Sequence, residues 1–397
     1  MTARVPVIAC VAVLAFFAGI TGVRLAYTLA YVLVLLLVAS FVWSRTLAKR
    51  VKVTRTSPQG TYMVGEPFSE TFTAHNGSAL RLPYCEVRDR SALDGYAPGR
   101  AFSLAGGGSV SWTARGVFRS RGRHHFGPLD ARLGDPFGLF PRRIVLSAET
   151  EVLVYPAVFP VPALVPQWTG SSLSDVRRGR PVDVPPDVST IRDYQPTDGL
   201  SRIHWRSTAR TGQLMSRTFD TGQNADLLVM LDLQRGIHAG AGAESSLEYA
   251  VSLAASICHA GLRRAQAIAL VTNDRLSTAI GAGRGETQRL RILEYLAVAT
   301  DNGLVPLAET VQRHGEGWRG RGAVIVITSN RNPAWVESLV DVSSPGHRHL
   351  CVFVEPTSFG AQGSALRVPA AWRLALDWWL VRRGDVLGDG TAISAAG

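Results

Sequence analysis

Lysine is almost missing from this chain: of its 42 basic residues, only Lys49 and Lys52 are not arginine. Closely spaced cysteines are missing as well. Cys10, Cys85, Cys258 and Cys351 lie far apart with no C-x-x-C pair, so neither a zinc site nor a disulfide scaffold follows, and buried free thiols in a reducing compartment are expected. Charge is scarce at 18% of residues, whereas 46% are apolar. That balance excludes a mainly disordered chain and points to a membrane part. No G-x-S-x-G, Walker A loop or H-E-x-x-H occurs, which removes the commonest signatures of hydrolases and nucleotide-binding enzymes. GAGRGE (281–286) misses a dinucleotide fingerprint because Glu286 stands where the last glycine belongs.

What is present begins with net charge, +11. The arginines are spread from end to end and form no concentrated basic face, so nucleic acid is not an expected partner. At 397 residues the chain exceeds what one core serves, and two or three domains are expected.

Two apolar runs, 5–23 and 25–43, are split by Arg24. Each approaches the ~20 residues needed to cross ~30 Å of hydrocarbon. A signal peptide is the alternative for the first run, because Arg4 precedes it. The second run follows at once, which favours a two-helix transmembrane hairpin over 5–43 in contact with membrane lipid. Arg45, Lys49, Arg50, Lys52 and Arg55 follow the second run, against Arg24 alone in the turn. The positive-inside bias then places both termini in the cytoplasm of a multi-pass protein of the cell membrane, with Tyr27 and Trp43 as interfacial aromatics.

From 51 to 155 short alternating runs with Gly, Asn and Pro between them predict six to eight strands and a β-sandwich-like domain. His124 and His125 are adjacent on one such run, so their side chains should face opposite ways. LGDPFGLFPRR (133–143) closes the block with a turn at Asp135-Pro136, which Phe137 and Phe140 are expected to pin to a core. Residues 156–188 read as a Pro-, Ser- and Gly-rich connector.

Beyond 223 the pattern alternates buried strands with helices: strands near 225–233, 265–274, 322–330 and 347–355, helices over 244–265, 288–300 and 333–340. This predicts an α/β domain over 223–360, doubly wound and mostly parallel. Ligands of such sheets bind beyond the carboxyl ends of the strands, where Asp232, Asn273, Asp274, Ser329 and Asn330 should gather. Residues 361–397 are expected as a C-terminal extension, whose Trp372, Trp378 and Trp379 either pack onto the α/β domain or dip into a membrane interface.

Between connector and α/β domain lies a strip at 189–222, with RDYQPTDGLSRIHWRSTARTGQLMSRTFD at its centre. Together with the hairpin, the DPFGLF turn and the α/β pattern, it resembles the bacterial domain-of-unknown-function family 58. Arg192, Tyr194, Asp198, Arg202, Ile203, Trp205, Ala209 and Arg210 carry the resemblance, with Leu214 and Arg217 after them. Thr197 before Asp198 departs from the family's usual Gly-Asp. The resemblance implies a von Willebrand factor A-like domain, a MoxR-type AAA+ ATPase as partner and, in actinobacteria, a transglutaminase-like membrane protein nearby. It attaches no catalytic activity. Similar A-type domains hold Mg²⁺ through D-x-S-x-S after the first strand, where carboxylate and hydroxyl oxygens face the ion. Here Asp232 is followed by Gln234 and Gly236 in those places, so no tight metal and no cofactor is expected; Asp232 should cap its loop or pair with an arginine. The expected function is a membrane-anchored, cytoplasm-facing interaction or assembly factor working with the ATPase on envelope-related or other protein clients. The alternative is a metal-dependent hydrolase or nuclease using Asp198, His204 and Asp232. Within the strip, the arginines are expected to pair with acids such as Asp193 or Asp198, and Ile203 and Trp205 to anchor a latch between domains.

Overall fold

The computed structural model describes residues 4–56, 60–91, 93–147, 150–161, 188–193, 205–219, 226–318, 322–342, 349–363 and 376–385. The chain divides into two units, Met1–Tyr155 and Pro156–Gly397.

The first unit opens with two packed helices, α1 (Arg4–Thr21) and α2 (Arg24–Arg50). Gly22, at φ +66°, turns the chain between them, a conformation that costs glycine nothing. Side chains buried on the pair are small, Ala18, Ala26 and Ala30, which lets two backbones approach closely. Of the two, α2 is long and apolar enough to cross a membrane, whereas the apolar part of α1 is shorter. Cys10, expected buried, is exposed on α1, while Cys85, Cys258 and Cys351 are buried. Burial alone pushes the Cys85 and Cys258 thiols up to about 12, so they stay protonated and unreactive.

The helix α2 does not stop at residue 43. It continues to Arg50 because Leu47 is fully buried in the core of the β-sheets that follow. Those sheets begin at once with β1 (Val51–Thr56). Next come β2 (Tyr62–Met63), β3 (Pro67–Asn76), β4 (Leu82–Asp89), β5 (Arg100–Leu104) and β6 (Ser109–Val117). The unit closes with β7 (Gly122–Phe126), β8 (Leu129–Gly134), β9 (Arg142–Ser147) and β10 (Thr150–Tyr155). Sheets of order β1-β3-β6 and β5-β4-β8-β9 enclose one core, and β2-β10-β7 forms a third sheet. Alternate residues of β3 point inward; Phe72 stacks on Trp112 at 5.3 Å. His124 is half-buried and His125 exposed, as alternation requires.

One inward position of β1 holds a charge. Arg55 lies opposite Phe72 in the register and donates to both oxygens of Glu70, at 2.9 and 2.8 Å. Asp89 sits 3.2 Å away, Tyr96 donates its hydroxyl to Glu70, and the guanidinium lies over the rings of Phe72 and Phe126. Arg55 and Glu70 are almost wholly enclosed. Arg55 is therefore not one of the exposed basic residues around the end of α2, unlike Arg45, Lys49, Arg50 and Lys52.

The DPFGLF turn is organised by its aspartate. Asp135 accepts backbone N–H bonds from Phe137 (3.2 Å), Leu139 (3.1 Å) and Phe140 (2.7 Å), and a further one from the Ser40 hydroxyl of α2. Ser44 donates to the Phe140 carbonyl at 2.6 Å, and Phe140 meets Phe41 edge to face. Phe137, expected to pin the turn to a core, is 57% exposed; Leu139 fills the core in its place. Burial raises the Asp135 carboxyl, but the bonds from Ser40, Phe140 and Leu139 outweigh it and hold the group below its ordinary value.

In the second unit, β11 (Val188–Asp193) and β12 (Met215–Phe219) pair antiparallel, with α3 (Trp205–Thr211) between them in sequence. Most of the expected connector, residues 162–187, lies outside the described residues. A six-stranded sheet follows, built from β13 (Asp226–Leu231), β14 (Ile268–Thr272), β15 (Ala279–Gly283), β16 (Gly322–Thr328), β17 (His349–Val354) and β18 (Asp377–Val381). Its order is β15-β14-β13-β16-β17-β18, parallel except for the edge strand β15. Helices α4 (Ser246–Arg263), α5 (Gly285–Val298), α6 (Leu307–Gly315) and α7 (Ala334–Val342) complete the unit. Leu228, Met230, Val324 and Val326 share a core with Val311 of α6 and Trp335 of α7. The alternate residues Leu227, Val229 and Ile325 are equally buried, and α4 packs on β13, β14, β16 and β17.

Two expectations are decided here and one element is new. GAGRGE does run from strand into helix, β15 into α5, but β15 is an antiparallel edge strand and no βαβ unit forms there. The helix α6 carries a short apolar stripe, Leu307, Thr310 and Val311, too brief to register as a period. The C-terminal extension supplies β18, whose Trp378 packs against Trp335 at 5.7 Å inside the core and is not at a surface.

Two outcomes are expected in urea titrations of the full chain in detergent. Arg55→Ala should lower stability by about 3–5 kcal/mol, because it leaves Glu70 charged, buried and unpaired. Asp135→Ala should cost about 3 kcal/mol through lost charge-assisted hydrogen bonds. The Asp135 contribution is present above the ordinary aspartate value, about 3.9, and disappears as pH falls through its lower folded value.

Candidate functional site

The sheet changes direction about β13. From it the chain steps to β14 on one side and later to β16 on the other, so the carboxyl ends of β13 and β16 form the switch point at which α/β sheets generally bind ligands. Asp232 stands there, one residue past β13, and is fully buried.

Its carboxylate is saturated. Thr328, the last residue of β16, donates its hydroxyl at 2.6 Å. Asn273, just past β14, donates its amide at 2.7 Å, and the backbone N–H of Gln234 donates at 3.1 Å. Asn273 is oriented by its other contacts: its oxygen accepts from Leu233 N–H at 2.6 Å and its nitrogen also reaches the Val305 carbonyl. The Asp232 carbonyl contacts the His238 ring at 3.0 Å, while that ring's other nitrogen faces Ser246. Enclosure pushes the Asp232 carboxyl above its ordinary value, against the pull of Thr328, Asn273 and Gln234.

Neighbouring residues complete a lattice of loops. Gln234 forms an isolated bridge with Gly303 and accepts from the Asn330 amide at 3.2 Å. A side chain at Gly303 would fall 1.9 Å from the Asn273 carbonyl, so only glycine fits. Gly236, at φ +83°, serves the turn. Asp274 bonds Thr278 through both backbone and hydroxyl, and Ser329 is buried beside Thr328.

The residues expected to gather at this edge do so, and Asp232 caps its loop. Thr328 and His238 were missed; Thr328 had a signal, a hydroxyl at the end of the strand adjoining β13. For a metal, the arrangement fits poorly. Two of three groups on the carboxylate are nitrogen donors, which repel a cation, and among the described residues no three His, Cys, Asp or Glu converge. The hydrolase alternative needs Asp232 to reach a substrate, and its full burial and three donors prevent that. Asp198 and His204, its other members, lie outside the described residues, as do Tyr194, Arg202 and Ile203.

Of the strip, the described part is β11, α3 and β12. Arg192 sits on β11 opposite Ser216 of β12. Thr208 accepts from Met215 N–H at 3.0 Å, fixing α3 to the start of β12, and Gly212 at φ +73° ends the helix. Trp205, expected as an apolar anchor, is 65% exposed; Ala209, Arg210 and Leu214 are exposed with it.

These features define an α/β domain of mostly parallel sheet, its switch point occupied by a hydrogen-bonded aspartate, preceded by an exposed aromatic and basic helix. Residues 190–356 match the family described as "Protein of unknown function DUF58". A relative, "Uncharacterized protein YeaD" of Bacillus subtilis (strain 168), is 25% identical over 191 residues, 47% of this chain and 45% of the relative. The chain thus spans about half the length of that relative. Among solved structures, the CARDB domain of the PF1109 protein from Pyrococcus furiosus is 16% identical, with a TM-score of 0.20, over 26% of this chain and 86% of that one. The FixG-related protein from Vibrio parahaemolyticus is 8% identical, with a TM-score of 0.19, over 26% of this chain and 96% of that one. Likeness at this level carries no argument.

With Asp232 raised, the unfolded chain gives up its proton first as pH rises. The group's contribution is therefore complete below about 3.9 and declines as pH climbs toward the raised folded value. Asp232→Asn should flatten that part of the stability profile, so urea midpoints of variant and parent should diverge as pH rises above about 3.9.

Proposed function

We propose that this protein is a membrane-anchored interaction or assembly factor that docks a protein partner through α3. The carrying observation is the exposure of Trp205 at 65%, with Arg210 and Leu214 beside it, inside the segment that defines the family. Trp and Arg are the residue types that dominate protein–protein hot spots, because each offers a large area with directed polar contacts. Thr208 and Gly212 hold the helix in place, so the surface is formed before a partner arrives.

The partner we assign is a MoxR-type AAA+ ATPase, with a transglutaminase-like membrane protein as a further neighbour, as the family resemblance implies. A von Willebrand factor A-like reading of the α/β unit is supported by its central first strand with Asp232 at the end. Anchoring is assigned to α2, with α1 as its returning companion. Leu25, Tyr31 and Leu35 of α2, each more than 60% exposed, and Phe16 of α1 form an apolar surface that lipid would cover. Exposed Arg45, Lys49, Arg50 and Lys52 at the end of α2 support cytoplasmic termini.

The test is co-purification from mildly solubilised membranes of cells expressing both proteins. Trp205→Ala and Arg210→Ala should each reduce ATPase recovery at least tenfold, in line with hot-spot losses of about 2 kcal/mol, while leaving the melting temperature within 2 °C. Full recovery with the Trp205→Ala, Arg210→Ala double variant would remove α3 as the docking surface.

A further inference from the structure

The DPFGLF turn has a position that its fold alone does not require. Ser40 and Ser44 tie it to α2, about 24 and 30 Å along the helix from Arg24 at 1.5 Å per residue. A hydrocarbon layer is about 30 Å thick. A helix that enters the layer at Arg24 therefore leaves it at the level of the turn. There, Phe137 is 57% exposed on a loop whose backbone is held by Asp135, and Phe41 of α2 is 39% exposed. Two guanidinium groups flank the Phe41 ring, Arg45 at 6.0 Å and Arg142 at 5.8 Å from its centroid. Neither arginine forms an ion pair among the described residues. Asp135, the nearest acid of the turn, is buried and faces inward onto four donors, so it does not neutralise them.

Two cations with no ion-pair partner among the described residues, beside an aromatic ring at this level, complement one occupant, the headgroup region of an anionic phospholipid. We propose that the turn is a membrane-interface wedge: Phe137 enters the upper acyl region, and Arg45 with Arg142 hold a lipid phosphate beside Phe41. This rests on α2 crossing the membrane. Phosphate–guanidinium pairing is bidentate and charge-assisted, and aromatic rings favour this depth. The wedge would fix the β-sheets against the membrane surface with a chosen face, which a helix alone, free to rotate in lipid, would not do.

The experiment places a benzophenone amino acid in turn at positions 34, 123 and 137 of the full chain. Each version is reconstituted in vesicles of equal parts phosphatidylcholine and phosphatidylglycerol, irradiated, and analysed for lipid adducts by mass spectrometry. Adducts at 34 and 137 but not at 123 are expected, with phosphatidylglycerol favoured at 137. In the Arg45→Gln, Arg142→Gln double variant, that preference should fall at least fivefold, from the loss of two surface charges. Adducts at 34 without any at 137 would overturn the wedge while leaving the spanning helix intact. Absence of adducts at 34 would remove the spanning helix and the wedge with it. An unchanged lipid preference in the double variant, or its abolition by millimolar inorganic phosphate, would overturn the assignment of the arginines to a lipid headgroup.

Discussion

Everything at the carboxyl edge of the parallel sheet hangs on one enclosed carboxylate. Asp232 receives donors from the end of β16, from the end of β14 and from its own loop, so three segments distant in sequence share a single acceptor. In a low-dielectric interior an acceptor of this kind is costly unless every lone pair is used. The requirement propagates outward: Asn273 must keep its amide pointed at Asp232, which fixes its oxygen on Leu233, which in turn places Gln234 against Gly303. The switch point of the sheet is thus occupied by the protein's own hydrogen bonds. On α3, by contrast, Trp205 and Arg210 stand exposed.

The same use of acids recurs in the other unit. Glu70 and Asp135, like Asp232, are buried and each gathers donors from separate segments. Acids in this basic chain therefore act inside as fasteners.

Periodicity made most of the second unit legible. Its strands are buried on both faces and read as unbroken apolar runs, so β13, β14, β16 and β17 were plain, and the helices between them fixed a parallel sheet. The edge strand β15 escaped because AIGAG has too little apolar character to stand out, whereas the Trp-rich segment around DWWLV packs onto the α/β domain as one of its two readings had it. Arg55 marks a different limit. Strict alternation of VKVTRT places it inward with Val51 and Val53, yet its acceptor Glu70 lies fifteen residues away, and pairing across strands is invisible to a local pattern. Trp205 was misread for the opposite reason. Hydrophobic type predicts burial only on average, and an exposed tryptophan looks the same in sequence as one in a core.

The junction of α2 and β1 has a mechanical side. Val51, the first residue of the strand, donates its N–H to the carbonyl of Leu47, and Leu47 is part of the sheet core. No hinge separates rod from body. With 27 residues α2 is about 40 Å long, so a tilt of about 5° moves its far end by roughly 3.5 Å. Rotation of the rod carries the first unit's sheets through the same angle. Helix and sheet are joined without an intervening loop, so a torque on the rod is passed directly to the sheets.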